Sequence, residues 1–166
     1  MKTSKKNTKE TTNIGISAEN RQAVADQLSK ILADEFVLYS KTLNFHWNVE
    51  GPDFHPVHLF LETLYKEQQE IIDTVAEKIR SIGHYVPASL KKYSQLTHLS
   101  EEMKEGNNSQ RIFAELLEDH ESIIFFIREN IKAMDDKYKA QGISDYITGL
   151  MGKHEKTAWM LRSHLK

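Results

Sequence analysis

Apolar side chains recur at helical spacing in four long stretches of this chain. Val24, Leu28, Ile31, Leu32, Tyr39 and Leu43 form one stripe on a helix predicted from about Ser17 to about Trp47. Ser17 can cap it, because its hydroxyl accepts a hydrogen bond from an otherwise unpaired first-turn amide. Asn48 to Gly51 and Pro52 break that helix. A second helix runs from Phe54 to Ile82, with Phe60, Leu61, Leu64, Ile71, Ile72, Val75 and Ile79 on its buried side. Asp53 is placed to cap it, Pro56 is tolerable in its first turn, and Gly83 with Pro87 ends it. Residues 84–108 read as a long crossover holding a short extra helix, Leu90 to Leu99. A third long helix follows, Ser109 to Tyr138, with Ile112, Leu116, Ile123, Ile127, Ile131, Met134 and Tyr138 on one face. Gly142 separates it from a fourth that starts near Ser144 and carries Ile147, Leu150, Met151, Ala158, Leu161 and Leu165.

Four long helices with short first and last connections and a long middle one predict an all-α fold. It is a four-helix bundle with one long crossover, the ferritin-like connectivity. At 166 residues the chain suits one domain with one core. Seven glycines and three prolines argue against a turn-rich β fold.

Composition narrows the chemistry. Cysteine is absent, which excludes disulfides, thiolate zinc sites and thiol catalysis; any metal must be held by His, Asp or Glu. The net charge of −2 makes the body no general anion binder. The charge is uneven, however. Residues 1–16 hold Lys2, Lys5, Lys6 and Lys9 against Glu10 alone and lack helical periodicity, so they are expected to form a flexible tail before the bundle domain of 17–166. The tail has no apolar core and is no secretory signal. No apolar run approaches the ~18 residues of a membrane span.

The candidate chemistry lies on the first two helices. His46 is near the end of the first; His58, Glu62, Asp73 and Glu77 are on the second. His58 and Glu62 are four apart, as are Asp73 and Glu77, and the 11 residues from Glu62 to Asp73 are close to three turns, so all four share a stripe. One chain cannot close a site from both ends of that stripe. His58 and Asp73 are separated by roughly 22 Å along the axis, whereas such ligands sit about 2 Å from a metal. An antiparallel copy across a two-fold axis can bring its Asp73 and Glu77 to the first copy's His46 and His58, generating two identical sites. Sulfur-free His and carboxylate ligation suits Fe(II), Mn(II) or Zn(II). Bundles with a di-iron site inside one chain use Glu-x-x-His on two helices. No glutamate here stands three residues before any of the eight histidines.

The segment Asn44-Phe45-His46-Trp47-Asn48-Val49-Glu50-Gly51, with His58, Asp73 and Glu77 at their spacing, resembles the signature of the Dps family of mini-ferritins. The likeness extends over residues 17–166, including the ending Ala158-Trp159-Met160-Leu161-Arg162. It implies a hollow homo-dodecamer with ferroxidase sites at two-fold interfaces, His46 and His58 from one subunit and Asp73 and Glu77 from its partner. The family's acidic residue at position 62 is often Asp; here it is the longer Glu62, a fifth candidate ligand. The resemblance implies oxidation of Fe(II) by hydrogen peroxide, or more slowly oxygen, with ferric mineral stored inside. Zinc can occupy the same ligands in place of iron. Trp47 matches an aromatic residue beside the family's site that absorbs stray oxidising equivalents. Asp145 and Glu155 are candidates for an iron-entry pore, against the bland reading of a capped, solvated helix. Some family members also bind DNA, and the Lys-rich tail supplies phosphate-neutralising charge for that role. A bacterial cytoplasmic location is expected, at the nucleoid if DNA is bound. His55, His84, His98, His120, His154 and His164 are read as surface or core histidines without a metal role.

Overall fold

The computed structural model describes residues 12–166. The lysines of the tail, all within residues 1–11, lie outside the described residues. Five helices make up the fold: α1 (Ala18–Asn48), α2 (Phe54–Ser81), α3 (Leu90–Leu96), α4 (Ser109–Asp136) and α5 (Gln141–His164). There is no strand among the described residues. α1 packs chiefly on α2, and α4 on α5, so the bundle is two helical hairpins joined by a crossover that carries α3 against α1.

The helix ends follow local chemistry, with two departures from expectation. Ser17 accepts from the Asn20 amide at 3.2 Å, Ser89 from Lys92 and Asn108 from Arg111, each capping its helix. Asp53 stands at the N-cap of α2 but makes no side-chain cap bond. Its Oδ2 instead accepts from the Ser109 hydroxyl at 2.5 Å, tying the start of α2 to the start of α4. Nor does Gly142 separate the last two helices. The break falls at Lys139, whose φ of 58° is left-handed, and α5 begins at Gln141, so Gly142 lies within its first turn. The Ala140 carbonyl accepts from both Ile143 and Ser144, so the turn closes before the glycine is needed.

The core is a continuous apolar interior in which Leu28, Leu32, Leu38, Phe45, Leu61, Ile79, Ile112, Leu116, Ile127 and Leu161 are essentially inaccessible. On α2 the buried line Val57, Leu61, Leu64, Gln68, Ile71, Val75, Ile79 leaves His58, Glu62, Asp73 and Glu77 outside it. The site stripe and the core stripe thus share one helix without competing.

Lys41 is buried, only 4% exposed, and holds the crossover to the bundle. Its ammonium lies 3.1 Å from Glu115 and 2.6 Å from Asp119, and donates to the Ser100 carbonyl. Arg111 completes the network at 2.6 Å from Glu115. Burial, opposed by Lys41, raises the Asp119 carboxyl above its usual range. Replacing one member of such a network strands the others in a dry interior. Lys41→Met is expected to cost about 3–5 kcal/mol of stability, measured by urea unfolding. A loss below about 1 kcal/mol would show that the two carboxylates relax to neutral partners.

Candidate metal centre

The five-residue connection from α1 to α2 sets the site. Gly51, with φ of 135°, adopts a turn conformation that side chains disfavour, and the Phe54 amide donates to its carbonyl. The Glu50 amide donates to the Asn107 carbonyl at 3.0 Å, and Asn107 donates back to the Glu50 carboxylate. This short connection returns the chain so that the last turn of α1 faces the first turns of α2.

There His46 and His58 meet. Their rings stack with centroids 3.8 Å apart and planes 19° from parallel. His46 Nδ1 lies 2.9 Å from the His58 carbonyl, and His58 Nδ1 lies 2.8 Å from the His46 carbonyl. A carbonyl only accepts, so each Nδ1 carries its proton and donates. In the neutral form of either ring the Nε2 atom then keeps its lone pair. An outer hydrogen bond that fixes the tautomer and aims the other nitrogen is what metal-ligating histidines carry. The His46 carbonyl is also one of the last in α1, where intrahelical donors run out, so the pairing satisfies it as well.

The other predicted ligands are not brought to this pair within one chain. Asp73 and Glu77 are exposed farther along α2 and have no ion-pair partner among the described residues. Glu62, one turn from His58, is engaged by Lys66, which holds its carboxyl below the usual range; Lys66 is raised in turn. The charges of His46 and His58 act on Glu62 in the same direction, more weakly. No three His, Asp or Glu side chains converge as a metal cage among the described residues. Trp47 follows His46 and is 68% exposed. Leu59, next to His58, is also exposed, as is Phe54, whose ring centre is 5.1 Å from that of His58.

The pore candidates stand apart from one another. Asp145 lines a surface cavity of about 300 Å3 with Glu70, Tyr146 and Lys153. Glu155 is paired with Arg128 across α4 and α5.

Two groups of polar residues escaped the sequence reading. Tyr65 sets its ring edge-on to His46, 5.1 Å between centroids, with Tyr39 a further 6.4 Å away. Its position seven residues after His58, two turns on, was the available signal. The second group is Glu35, His120 and His154, buried in the bundle core. Each stands where the helical repeat calls for an apolar side chain: Glu35 seven after Leu28, His120 four after Leu116, His154 seven after Ile147.

Comparison with known proteins settles the class. The sequence pattern of the ferritin-like domain matches residues 25–166. The chain is 34% identical over 141 residues to the DNA protection during starvation protein of Helicobacter pylori, spanning 83% of this chain and 95% of that one. It is 38% identical over 154 residues to an uncharacterized low temperature-induced protein of Nostoc sp., covering 93% of this chain and 86% of that protein. The fold matches the crystal structure of a Dps protein from Vibrio cholerae O1, described as a member of a broad superfamily of ferritin-like diiron-carboxylate proteins. The TM-score is 0.87 at 25% identity, over 93% of this chain and 97% of that one. The chain belongs to the ferritin-like family and, within it, to the Dps proteins.

The hydrogen-bonded ring pair is open to direct observation. In 15N spectra of sedimented, histidine-labelled protein at pH about 8, both rings are expected to be protonated at Nδ1 and bare at Nε2. Protons on Nε2 of either ring would show that the nitrogens are not presented to a metal.

Proposed function

We propose that this chain oxidises Fe(II) and stores the ferric product, at sites built between two subunits. His46 and His58 of one subunit face Asp73 and Glu77 of its symmetry mate. The observation that carries this reading is the His46–His58 pair, two Nε2 atoms held ready by reciprocal backbone bonds with no carboxylate among the described residues of the same chain to complete a cage. Exposed Trp47, Phe54 and Leu59 around the pair favour a covering partner, since apolar rims of this kind mark interaction sites. Asp73 and Glu77, without an ion-pair partner among the described residues, lie farther along the same helix, where an antiparallel copy of α2 would bring them opposite the imidazoles.

At such a site the two imidazoles bind Fe(II) as neutral donors, and the carboxylates stabilise the charge added as Fe(III) forms. Two irons each give one electron to hydrogen peroxide, whose O–O bond breaks to yield hydroxide rather than hydroxyl radical. Hydrolysis of Fe(III) to the oxide-hydroxide then releases protons. Oxygen serves as the slower oxidant. Glu62, tied to Lys66, sits beside the imidazoles as an accessory acid. Zinc is a competitor for the same donors. Trp47, exposed beside His46, is placed to take up stray oxidising equivalents, and a hollow dodecamer holds the mineral. Asp145 remains a pore candidate; Glu155, engaged by Arg128, is less available to passing cations. The cell's cytoplasm, where Fe(II) and peroxide meet, is the proposed setting.

Shared sites make a specific demand. Protein with His46→Ala and protein with Asp73→Ala should each lose fast peroxide-driven Fe(II) oxidation while keeping the shell. Co-assembled in equal amounts, they should recover about one quarter of the sites, because half the dimers are mixed and each mixed dimer regains one site of its two. No recovery would place all ligands in one chain.

A second role is attached to the tail. The Helicobacter relative's name refers to DNA protection, and four tail lysines can each neutralise a phosphate, with avidity from many copies. Gel shifts at low salt should show DNA retarded by the full chain and released when residues 1–10 are removed. Equal retardation by both would assign binding to the body instead.

A further inference from the structure

At the centre of the bundle, one polar side chain from each long helix points inward: Glu35 from α1, Gln68 from α2, His120 from α4 and His154 from α5, none more than 3% exposed. His154 lies between two partners, its Nε2 2.7 Å from Glu35 Oε1 and its Nδ1 2.8 Å from His120 Nδ1. The other ends of this chain of rings are bare among the described residues: Glu35 Oε2, His120 Nε2 and both amide atoms of Gln68. A cavity of about 10 Å3, roughly one water in size, is lined by Gln68, His120 and His154.

The geometry does not suit a metal. His154 spends its two nitrogens on opposite neighbours, and no three donors converge among the described residues. It does suit a proton. A buried carboxylate needs a counter-charge, and His154 is the only ion-pair partner of Glu35 among the described residues. The neighbouring cations are engaged elsewhere: Lys153 with Glu67 at the mouth of the cavity, Lys41 with Glu115 and Asp119. Tyr146, on α5, is neutral; burial, then the Glu35 charge, push its phenol up to about 12, opposed by a bond to Thr74 of α2.

We infer that the His120–His154 pair carries a single positive charge that neutralises Glu35, and that a second proton on the pair is what the core cannot accept, so that acid parts α4 from α5. The nitrogen-to-nitrogen contact requires one proton and one lone pair. With both rings charged, two N–H groups face each other at that contact and two cations share one carboxylate in a dry interior. Burial first, and the His154 charge second, accordingly hold His120 well below the ordinary imidazole range. The sign follows from linkage. Unfolded His120 titrates near about 6.5, whereas in the fold it stays neutral to lower pH, so the unfolded chain binds more protons in that window. The His120 contribution to stability is therefore full above about 6.5 and is lost as pH falls below it. Gln68 lines the same small cavity as His120 and carries both a donor and an acceptor.

The test is urea unfolding of the full chain at fixed subunit concentration from pH about 8 to 5, with His120→Gln beside the parent. The parent is expected to take up about one proton more on unfolding than the variant toward pH about 5, and no more than the variant toward pH about 8. Identical pH dependence would overturn the inference. Should His120→Gln fail to fold, 15N spectra of the sedimented parent decide: His120 neutral from pH 8 to 5 beside a doubly protonated His154 supports it. A His120 ring that titrates near 6.5 in the folded protein overturns it.

Discussion

The candidate centre depends on a reciprocal exchange of hydrogen bonds between two helix ends. The last turn of α1 has carbonyls that its own amides cannot reach, and the His58 ring supplies the donor for one of them. His46 returns the bond to α2. Two side-chain donors thereby close the α1–α2 hairpin, and the same two bonds decide which nitrogen of each ring is left bare. Packing and ligand geometry are one arrangement here, so the site cannot drift without opening the hairpin. The turn that permits it is braced from the crossover through Asn107 and from α4 through Ser109.

Much of this was legible in the sequence, for physical reasons. Long stripes at helical spacing specify a helix strongly, so the four long helices and the crossover could be read from residue type alone. The placement of His46 near His58 could be read because a short Gly–Pro connection forces the two helix ends together. Helix boundaries were less legible. Asp53 has the chemistry of a cap, but the Ser109 hydroxyl, distant in sequence, competes for its oxygen. Gly142 has the chemistry of a stop, but Lys139 takes the left-handed conformation first. Local rules failed where a tertiary partner or a neighbouring residue offered an alternative.

Buried polar residues were the least legible. A histidine read alone is most often bland, and His120 and His154 are unremarkable in one dimension. Their meaning depends on Glu35, 119 residues from His154 in the chain. Lys41 shows the same blindness: a lysine on a helix reads as solvated surface, yet Glu115, Asp119 and the Ser100 carbonyl surround it. In each case the informative sign is a titratable side chain at a position the apolar repeat reserves for the core.

The two histidine pairs show how surroundings divide one residue type between tasks. His46 and His58 give their Nδ1 protons to main-chain carbonyls, which have no charge to share and no second proton to offer. Their Nε2 lone pairs remain available, and the carboxylate beside them, Glu62, is already engaged by Lys66. His120 and His154 have no carbonyl to bond. They bond each other and Glu35, so a lone pair that could have served a metal is consumed by a proton. With the first pair at the rim and the second in the core, the proposed metal chemistry is kept apart from the inferred charge balance. Carboxylates converging on the bundle centre would invite a cation inside; at that centre a single carboxylate, Glu35, is set against two mutually bonded rings.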